Sequence, residues 1–179
     1  MYRFTQNLED GAAVLAWLRE PETAKRLGID TTRIVIAGHS MGGWVAAHTA
    51  SHDPALIGVI LISAWNAGRV NGSHQSRVDE MADNMESLAG TAAETMANEL
   101  EANAKMFALE NAAQGLVHMP LLALTADDGL APDTDALVKA VEAKGGHRIT
   151  SKHVATDHAW SDHRIALEGT VIEWLAGLH

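Results

Sequence analysis

The first feature of this sequence whose residues could perform chemistry is a serine flanked by glycines. The run Gly38-His39-Ser40-Met41-Gly42 follows a short apolar segment and precedes a helix-like one. A serine hydroxyl becomes nucleophilic when a base takes its proton and a third group orients that base. A G-x-S-x-G pattern permits a tight strand-to-helix turn that lifts the serine above a sheet edge. The pattern therefore predicts Ser40 as a nucleophile and a structural role for His39, at the variable position.

Candidate partners for this serine follow later in the chain, each after a strand-like run. Asp127 and Asp128 come directly after LLALTA, and His158 comes shortly after RITSKHVAT. Functional groups of open α/β sheets gather at the carboxyl ends of strands, so we expect these side chains near Ser40. The order serine, aspartate, histidine differs from the orders in chymotrypsin and subtilisin. From the residues alone, either aspartate is a candidate for the orienting acid.

Other acids and histidines surround this histidine. Asp157 is adjacent to His158, and neighbours on an extended segment point apart, so it is a poor orienting acid. Asp162 reaches the histidine only if the C-terminal helix begins early. His153 and His163 flank the base but lack the spacing of a recognised metal site. We therefore expect neither a metal nor a cofactor.

Short apolar runs alternate with helical patterns along the chain. They predict four strands, at 33–37, 56–63, 121–126 and 148–156. The first two read as strands buried on both faces, and the last as a strand near a sheet edge. The helical patterns lie at 7–19 (capped by Asn7), 42–51, 133–144 and from about Ser161 onward. Strands alternating with helices indicate an α/β fold with a parallel sheet, and the length suits one domain.

The segment 66–115 differs in character because it contains no strand-like run and is rich in Ala, Glu, Asn and Met. Gly90 is predicted to end a first helix, and a capping box from Thr91 to Glu94 to begin a second. Methionines along one face of each helix indicate packing onto the body and are compatible with lining a substrate site. We expect a helical cap inserted into the domain.

The sequence resembles the α/β-hydrolase superfamily in three segments. They are GHSMGG at 38–43, TADDGLAP at 125–132 and TDHAWSDHRIAL at 156–167. It is similar to the branch that contains prolyl-oligopeptidase-like and dienelactone-hydrolase-like serine hydrolases. The resemblance runs from about residue 5 to the end and is least specific in the helical insertion.

This resemblance implies a role for each matching residue. Ser40 is the nucleophile, Asp128 the orienting acid and His158 the general base. The Met41 backbone N–H is one of two donors to the oxyanion. The family places its acid four residues before a proline, which favours Asp128, ahead of Pro132, over the preceding aspartate.

Parts of the resembling fold have no counterpart in the sequence. The second oxyanion donor comes from a loop after an earlier strand, and only a helix and a turn precede Arg33. The fold also places several strands there, so we expect residues 1–179 to be the C-terminal portion of a hydrolase domain. The strand at 33–37 then has an unpaired edge, which favours pairing between chains and a homo-oligomer.

Composition limits the partners and the compartment. The 179 residues carry a net charge of −10 with no basic block, which argues against nucleic acid and anionic membrane surfaces. No apolar stretch reaches the ~18 residues of a spanning helix, and the first residues contain no signal-peptide core. The absence of cysteine excludes thiolate chemistry and fits a cytoplasmic compartment.

We expect a serine hydrolase that cleaves small carboxylic esters, or peptide and amide bonds, through an acyl-enzyme. Acyl transfer to an alcohol or amine uses the same triad and stays open. A different class of function is a truncated, non-catalytic domain that acts as an oligomer or interaction module. A fluorophosphonate probe distinguishes these, because it labels only an activated serine.

Overall fold

A computed structural model describes residues 2–85 and 88–178, and these fold around a four-stranded parallel sheet. The strands are β1 (Val35–His39), β2 (Gly58–Ile62), β3 (Leu121–Ala126) and β4 (Ile149–Val154). They lie in the order β1-β2-β3-β4, and each neighbouring pair is parallel. The predicted α/β fold is confirmed: β2, β3 and β4 lie within their predicted runs, and β1 overlaps the run at 33–37 and ends two residues later.

Helices cover both faces of this sheet. Within the described ranges they are α1 (Phe4–Arg19), α2 (Pro21–Leu27), α3 (Met41–Ser51), α4 (His74–Asp83), α5 (Ala93–Phe107), α6 (Ala113–Leu116), α7 (Ala131–Ala143) and α8 (Arg164–Ala176), with a 3-10 turn at Leu109–Ala112. α3 and α7 pack on one face and α8 on the other. None of the described helices has the length and apolarity needed to span a membrane.

The central strand β2 explains why both faces need helices. Val59 and Leu61 belong to the cluster under α3, whereas Ile60 and Ile62 pack on the opposite side with Trp174 of α8. Successive side chains of a strand point to opposite faces. A continuous apolar run is therefore stable only when both faces are covered.

The strand β1 is less buried than predicted. Within the described residues it pairs only with β2, so it forms an edge of the sheet. Val35 and Ile36 are half-buried and Ala37 is exposed. The prediction of a strand buried on both faces is therefore wrong for β1, whose apolar run lies at the sheet's margin.

The helix α1 begins at Phe4, before the predicted start at Asn7. Its N-cap residue, Arg3, makes no side-chain capping bond. Instead, the Glu99 carboxylate of α5 accepts hydrogen bonds from the backbone N–H groups of Phe4 (2.8 Å) and Thr5 (3.0 Å) and from the Thr5 hydroxyl (3.0 Å). A carboxylate distant in sequence therefore supplies the cap.

The helices of 66–115 have different ends from those predicted. α4 ends well before Gly90, which lies in the following loop with φ 74°. α5 has no side-chain capping bond, so the predicted Thr91 capping box is wrong. Glu94 instead accepts a hydrogen bond from the His74 ring of α4 (2.9 Å). The Glu94 side chain thus pairs α5 with α4 and does not form the predicted cap.

Candidate active site

Ser40 lies at the turn between β1 and α3. Its backbone has φ 54° and ψ −122°, a strained conformation for a residue with a side chain. Its N–H donates to the Ile62 carbonyl, and its carbonyl accepts from the Trp65 N–H, both at 3.0 Å. A Cβ on Gly38 would overlap the Gly42 carbonyl, so the turn requires glycine there. These contacts hold the strained serine at the carboxyl end of β1.

Met41 directly follows this serine and opens α3. Its N–H therefore belongs to the first turn of a helix, where amides have no intrahelical acceptor and the helix dipole favours negative charge. This helix position makes the Met41 N–H, beside Ser40, suited to a developing oxyanion. The Met41 side chain has partners of its own: the Tyr2 hydroxyl donates to its sulfur at 3.2 Å, and the Asn7 amide donates to the Tyr2 oxygen at 2.7 Å.

Asp128 and His158 form a pair at the ends of β3 and β4. The His158 Nδ1–H donates to Asp128 Oδ2 at 2.9 Å, and the Leu130 N–H donates to Oδ1 at 3.0 Å. The Asp128 side chain is 3% exposed and that of His158 is 42% exposed. Burial alone raises the pKa of Asp128, but the hydrogen bonds from His158 and Leu130, with a smaller contribution from the nearby Ser63 hydroxyl, outweigh it and lower this pKa below its ordinary value. The pair thus has a buried acceptor and an accessible imidazole.

The neighbouring acids have other partners. Asp127 accepts from His153 Nε2 at 3.0 Å, with its side chain 64% exposed. Asp157 accepts from the Ser161 N–H at 2.9 Å. Asp162 accepts from the Thr156 hydroxyl, just before the start of α8. Among the four candidate acids, only Asp128 is hydrogen-bonded to His158 in the described residues.

His39 contacts the histidine of this pair. Its Nε2–H donates to the His158 backbone carbonyl at 2.7 Å, and the two ring centroids are 4.5 Å apart. Residue 39 therefore connects the turn at Ser40 to the loop that carries the imidazole. This contact agrees with the structural role predicted for His39.

A cavity of about 480 Å³ contains all three predicted catalytic side chains. No hydrogen bond joins the Ser40 hydroxyl to His158 in the described structure, and such contacts commonly tighten only when substrate binds. The lining comprises Tyr2, Phe4, Ser40, Met41, Trp65, Glu80, Met81, Asn84, Leu88, Met96, Asp128, Leu130 and His158. Two larger cavities, of about 570 and 620 Å³, contain none of the three.

The aromatic part of this lining escaped the sequence analysis. Tyr2 precedes α1, Phe4 is the first residue of that helix, and Trp65 follows β2. The rings of Phe4 and Trp65 are tilted against each other with centroids 5.7 Å apart. No motif or periodicity marks these residues, because they meet only when the start of the chain packs over β2.

The molecule combines a parallel sheet, a strained serine at a strand-to-helix turn and a nearby aspartate–histidine pair. Together these features define an α/β protein built like a hydrolase. The sequence agrees with this architecture. Residues 1–162 match the family described as the alpha/beta hydrolase fold, and the chain belongs to that family. No curated protein gives a significant match to the sequence.

Solved structures share the fold at low sequence identity. EstE1, a thermostable carboxylesterase from a metagenomic library, has a TM-score of 0.69 and 21% identity over 99% of this chain and 65% of its own. A fungal esterase from Rhizomucor miehei has a TM-score of 0.69 and 18% identity over 97% of this chain and 58% of its own. An arylesterase has a TM-score of 0.67 and 21% identity over 98% of this chain and 59% of its own. The chain therefore spans about three fifths of these proteins' length.

Proposed function

We propose that this chain is a serine hydrolase that cleaves carboxylic esters through an acyl-enzyme. The observation that carries the proposal is the 2.9 Å hydrogen bond from His158 to the buried carboxylate of Asp128, at a cavity that also contains Ser40. This is the arrangement that activates a serine hydroxyl. The esterases among the similar structures give further support.

Each residue has a distinct part in the proposed reaction. His158 Nε2 takes the proton of Ser40 as its oxygen attacks the ester carbonyl, and the Met41 N–H stabilises the resulting oxyanion. The imidazolium then protonates the leaving alcohol. Water enters, gives a proton to the same nitrogen and attacks the acyl carbon. The imidazolium then returns that proton to the Ser40 oxygen as the bond to the acyl group breaks and the acid leaves. Asp128 keeps the His158 proton on Nδ1 throughout and stabilises the imidazolium.

The cavity favours an uncharged substrate with an apolar group. Phe4, Trp65, Met81 and Met96 supply apolar surface, and flexible methionines adapt to different shapes. The carboxylate of Glu80 and the net charge of −10 disfavour anionic substrates. Met81 and Met96 belong to α4 and α5, which supports a capping role for 66–115. Peptide and amide substrates, which the prolyl-oligopeptidase-like resemblance suggests, rank second.

Labelling and turnover test the proposal together. A fluorophosphonate is expected to label Ser40 in folded protein, and Ser40→Ala is expected to abolish both labelling and p-nitrophenyl ester hydrolysis. Unchanged ester hydrolysis in Ser40→Ala contradicts the proposal. Transfer of the acyl group to an added alcohol in preference to water would reassign the chain to the acyltransferases.

Neighbouring aspartates provide a matched control for the acid. Asp128→Asn is expected to lower kcat by roughly 10³–10⁴, because an asparagine in place of the orienting acid holds the histidine in the wrong tautomer. Asp127→Asn alters only an exposed contact to His153 and is expected to change kcat less than about two-fold. Equal losses in the two variants contradict the assignment of Asp128.

A non-catalytic interaction module is the alternative function. Its support is the edge of β1, which has no partner strand in the described residues and can pair with a second chain. Failure of Ser40 to react with the probe, together with a dimer in sedimentation analysis, would favour this alternative. A dimer that also labels at Ser40 would indicate a homo-oligomeric hydrolase.

A further inference from the structure

Three residues other than glycine have positive φ in the described structure: Ser40, Ser63 (45°) and Trp160 (55°). Such conformations are unfavourable for residues with a side chain and persist where the surroundings hold them, often at functional sites. Ser63 directly follows β2, and Trp160 lies two residues after His158. The proposed mechanism uses only the first of the three, so the other two strained residues lack a function.

The side chains of these two residues are hydrogen-bonded to each other. The Trp160 Nε1–H donates to Ser63 Oγ at 3.1 Å, and the residues are 2% and 1% exposed. An indole N–H is a donor only, so the Ser63 oxygen is the acceptor. The hydroxyl hydrogen of Ser63 is therefore left to donate to another group.

The Asp128 carboxylate lies near this hydroxyl, which contributes to lowering its pKa. The Ser63 N–H donates to the Leu124 carbonyl at 2.8 Å, which places Ser63 against β3, the strand that leads into Asp128. The Asp128 carboxylate accepts hydrogen bonds from His158 Nδ1 and the Leu130 N–H. The free hydroxyl hydrogen of Ser63 makes it a third candidate donor to this buried carboxylate.

Trp160 also anchors the loop that carries His158. Its ring belongs to the apolar cluster of Ile60, Leu122 and Leu124 under α8. A buried ring two residues from His158 restricts the position of that loop. The same side chain therefore restrains the base through the backbone and bonds to Ser63 beside the acid.

We propose that Ser63 and Trp160 are positioning residues for the proposed triad. The observed bond from Trp160 to Ser63 holds the loop of His158 against the end of β2, and the Ser63 hydroxyl completes a chain to His158 by donating to Asp128. This inference rests on the proposed hydrolase function and deepens it. Neither residue lines the substrate cavity, so their effect is on the acid and the base and not on substrate binding.

Two substitutions of Ser63 separate the hydroxyl from the backbone. Ser63→Ala and Ser63→Gly both remove the donor to Asp128, and each is expected to lower kcat by roughly three- to ten-fold with KM unchanged. Glycine relieves the positive φ that alanine does not, so their thermal stabilities are expected to differ in favour of the glycine variant. A kcat loss that follows stability, or a raised KM with unchanged kcat, overturns the proposal.

Trp160→Phe tests the next donor in the chain. The variant keeps an aromatic ring in the apolar cluster but loses the N–H to Ser63. It is expected to lower kcat, and the double variant with Ser63→Ala is expected to be no worse than Ser63→Ala alone. Trp17→Phe, at a ring exposed on α1, is the matched control and is expected to leave kcat unchanged. Fully additive losses in the double variant contradict a chain in series.

A proton resonance tests the inference without turnover. The His158 Nδ1–H bonded to Asp128 is expected to give a downfield ¹H NMR signal, which Ser63→Ala and Trp160→Phe shift and Trp17→Phe does not. If Ser40 fails to label while this signal responds, the proposed hydrolase function fails and the positioning of Asp128 stands. An unchanged signal in Ser63→Ala overturns the positioning role, whatever the activity.

Discussion

The variant Glu99→Ala removes three hydrogen bonds that join α5 to the first turn of α1. Replacing an N-cap by alanine costs roughly 0.5–2 kcal/mol, and losing a negative charge at a helix N-terminus adds about 0.3–1 kcal/mol. Water replaces part of these contacts because Glu99 is only half-buried. We therefore expect a loss of about 2 kcal/mol, which lowers the folded-to-unfolded ratio about 30-fold.

Urea unfolding followed by circular dichroism measures this loss, and the melting temperature is expected to fall by about 4–8 °C. The control is Glu142→Ala on α7, an exposed glutamate whose side chain has no partner among the described residues. Its cost is expected to stay within about 0.5 kcal/mol. Equal losses in the two variants would refute the tertiary cap. The first turn also carries Phe4, which lines the cavity, so KM for apolar esters is expected to rise.

Two further predictions concern the serine turn and the contact between α4 and α5. In Gly38→Ala the new Cβ overlaps the Gly42 carbonyl. We therefore expect a stability loss of about 1–3 kcal/mol or more and no labelling of Ser40 by the fluorophosphonate. Urea unfolding of this variant at the wild-type midpoint would contradict this. Hydrogen bonds to Glu101 and then Glu94 raise the pKa of His74 above 6.5. Its stabilising effect is therefore complete below about pH 6.5 and is lost as pH rises through the raised pKa. The stability difference between wild type and His74→Gln is expected to be largest at about pH 5–6, and a pH-independent difference contradicts this.

Local sequence patterns identified the strands and the serine turn for a physical reason. A strand covered on both faces needs an unbroken apolar run, so β2 and β3 stand out in the sequence. The turn at Ser40 needs glycine where the backbone of α3 approaches, so the residues that permit this turn lie close together in the sequence. Both features depend on neighbours in the chain, and both were predicted within a few residues.

Helix ends were predicted less well because their caps lie elsewhere in the chain. The sequence suggested Asn7 for α1 and Thr91 for α5, each from a correct local preference. Folding brings Glu99 to the start of α1 and draws Glu94 to His74. In both cases a contact between distant segments outweighed the local capping preference. No sequence pattern in either segment indicates which residue in the other segment it contacts.

The candidate site divides along the same line. Sequence order alone places Ser40, Asp128 and His158 after strands, at one edge of the sheet. The direction of each side chain depends on the folded backbone, which turns Asp128 toward His158 and Asp127 toward His153. The aromatic cavity wall and the contact from Trp160 to Ser63 likewise exist only after segments far apart in sequence have packed together. Chain neighbours therefore specify which groups reach the edge of the sheet, and tertiary packing specifies which of them touch.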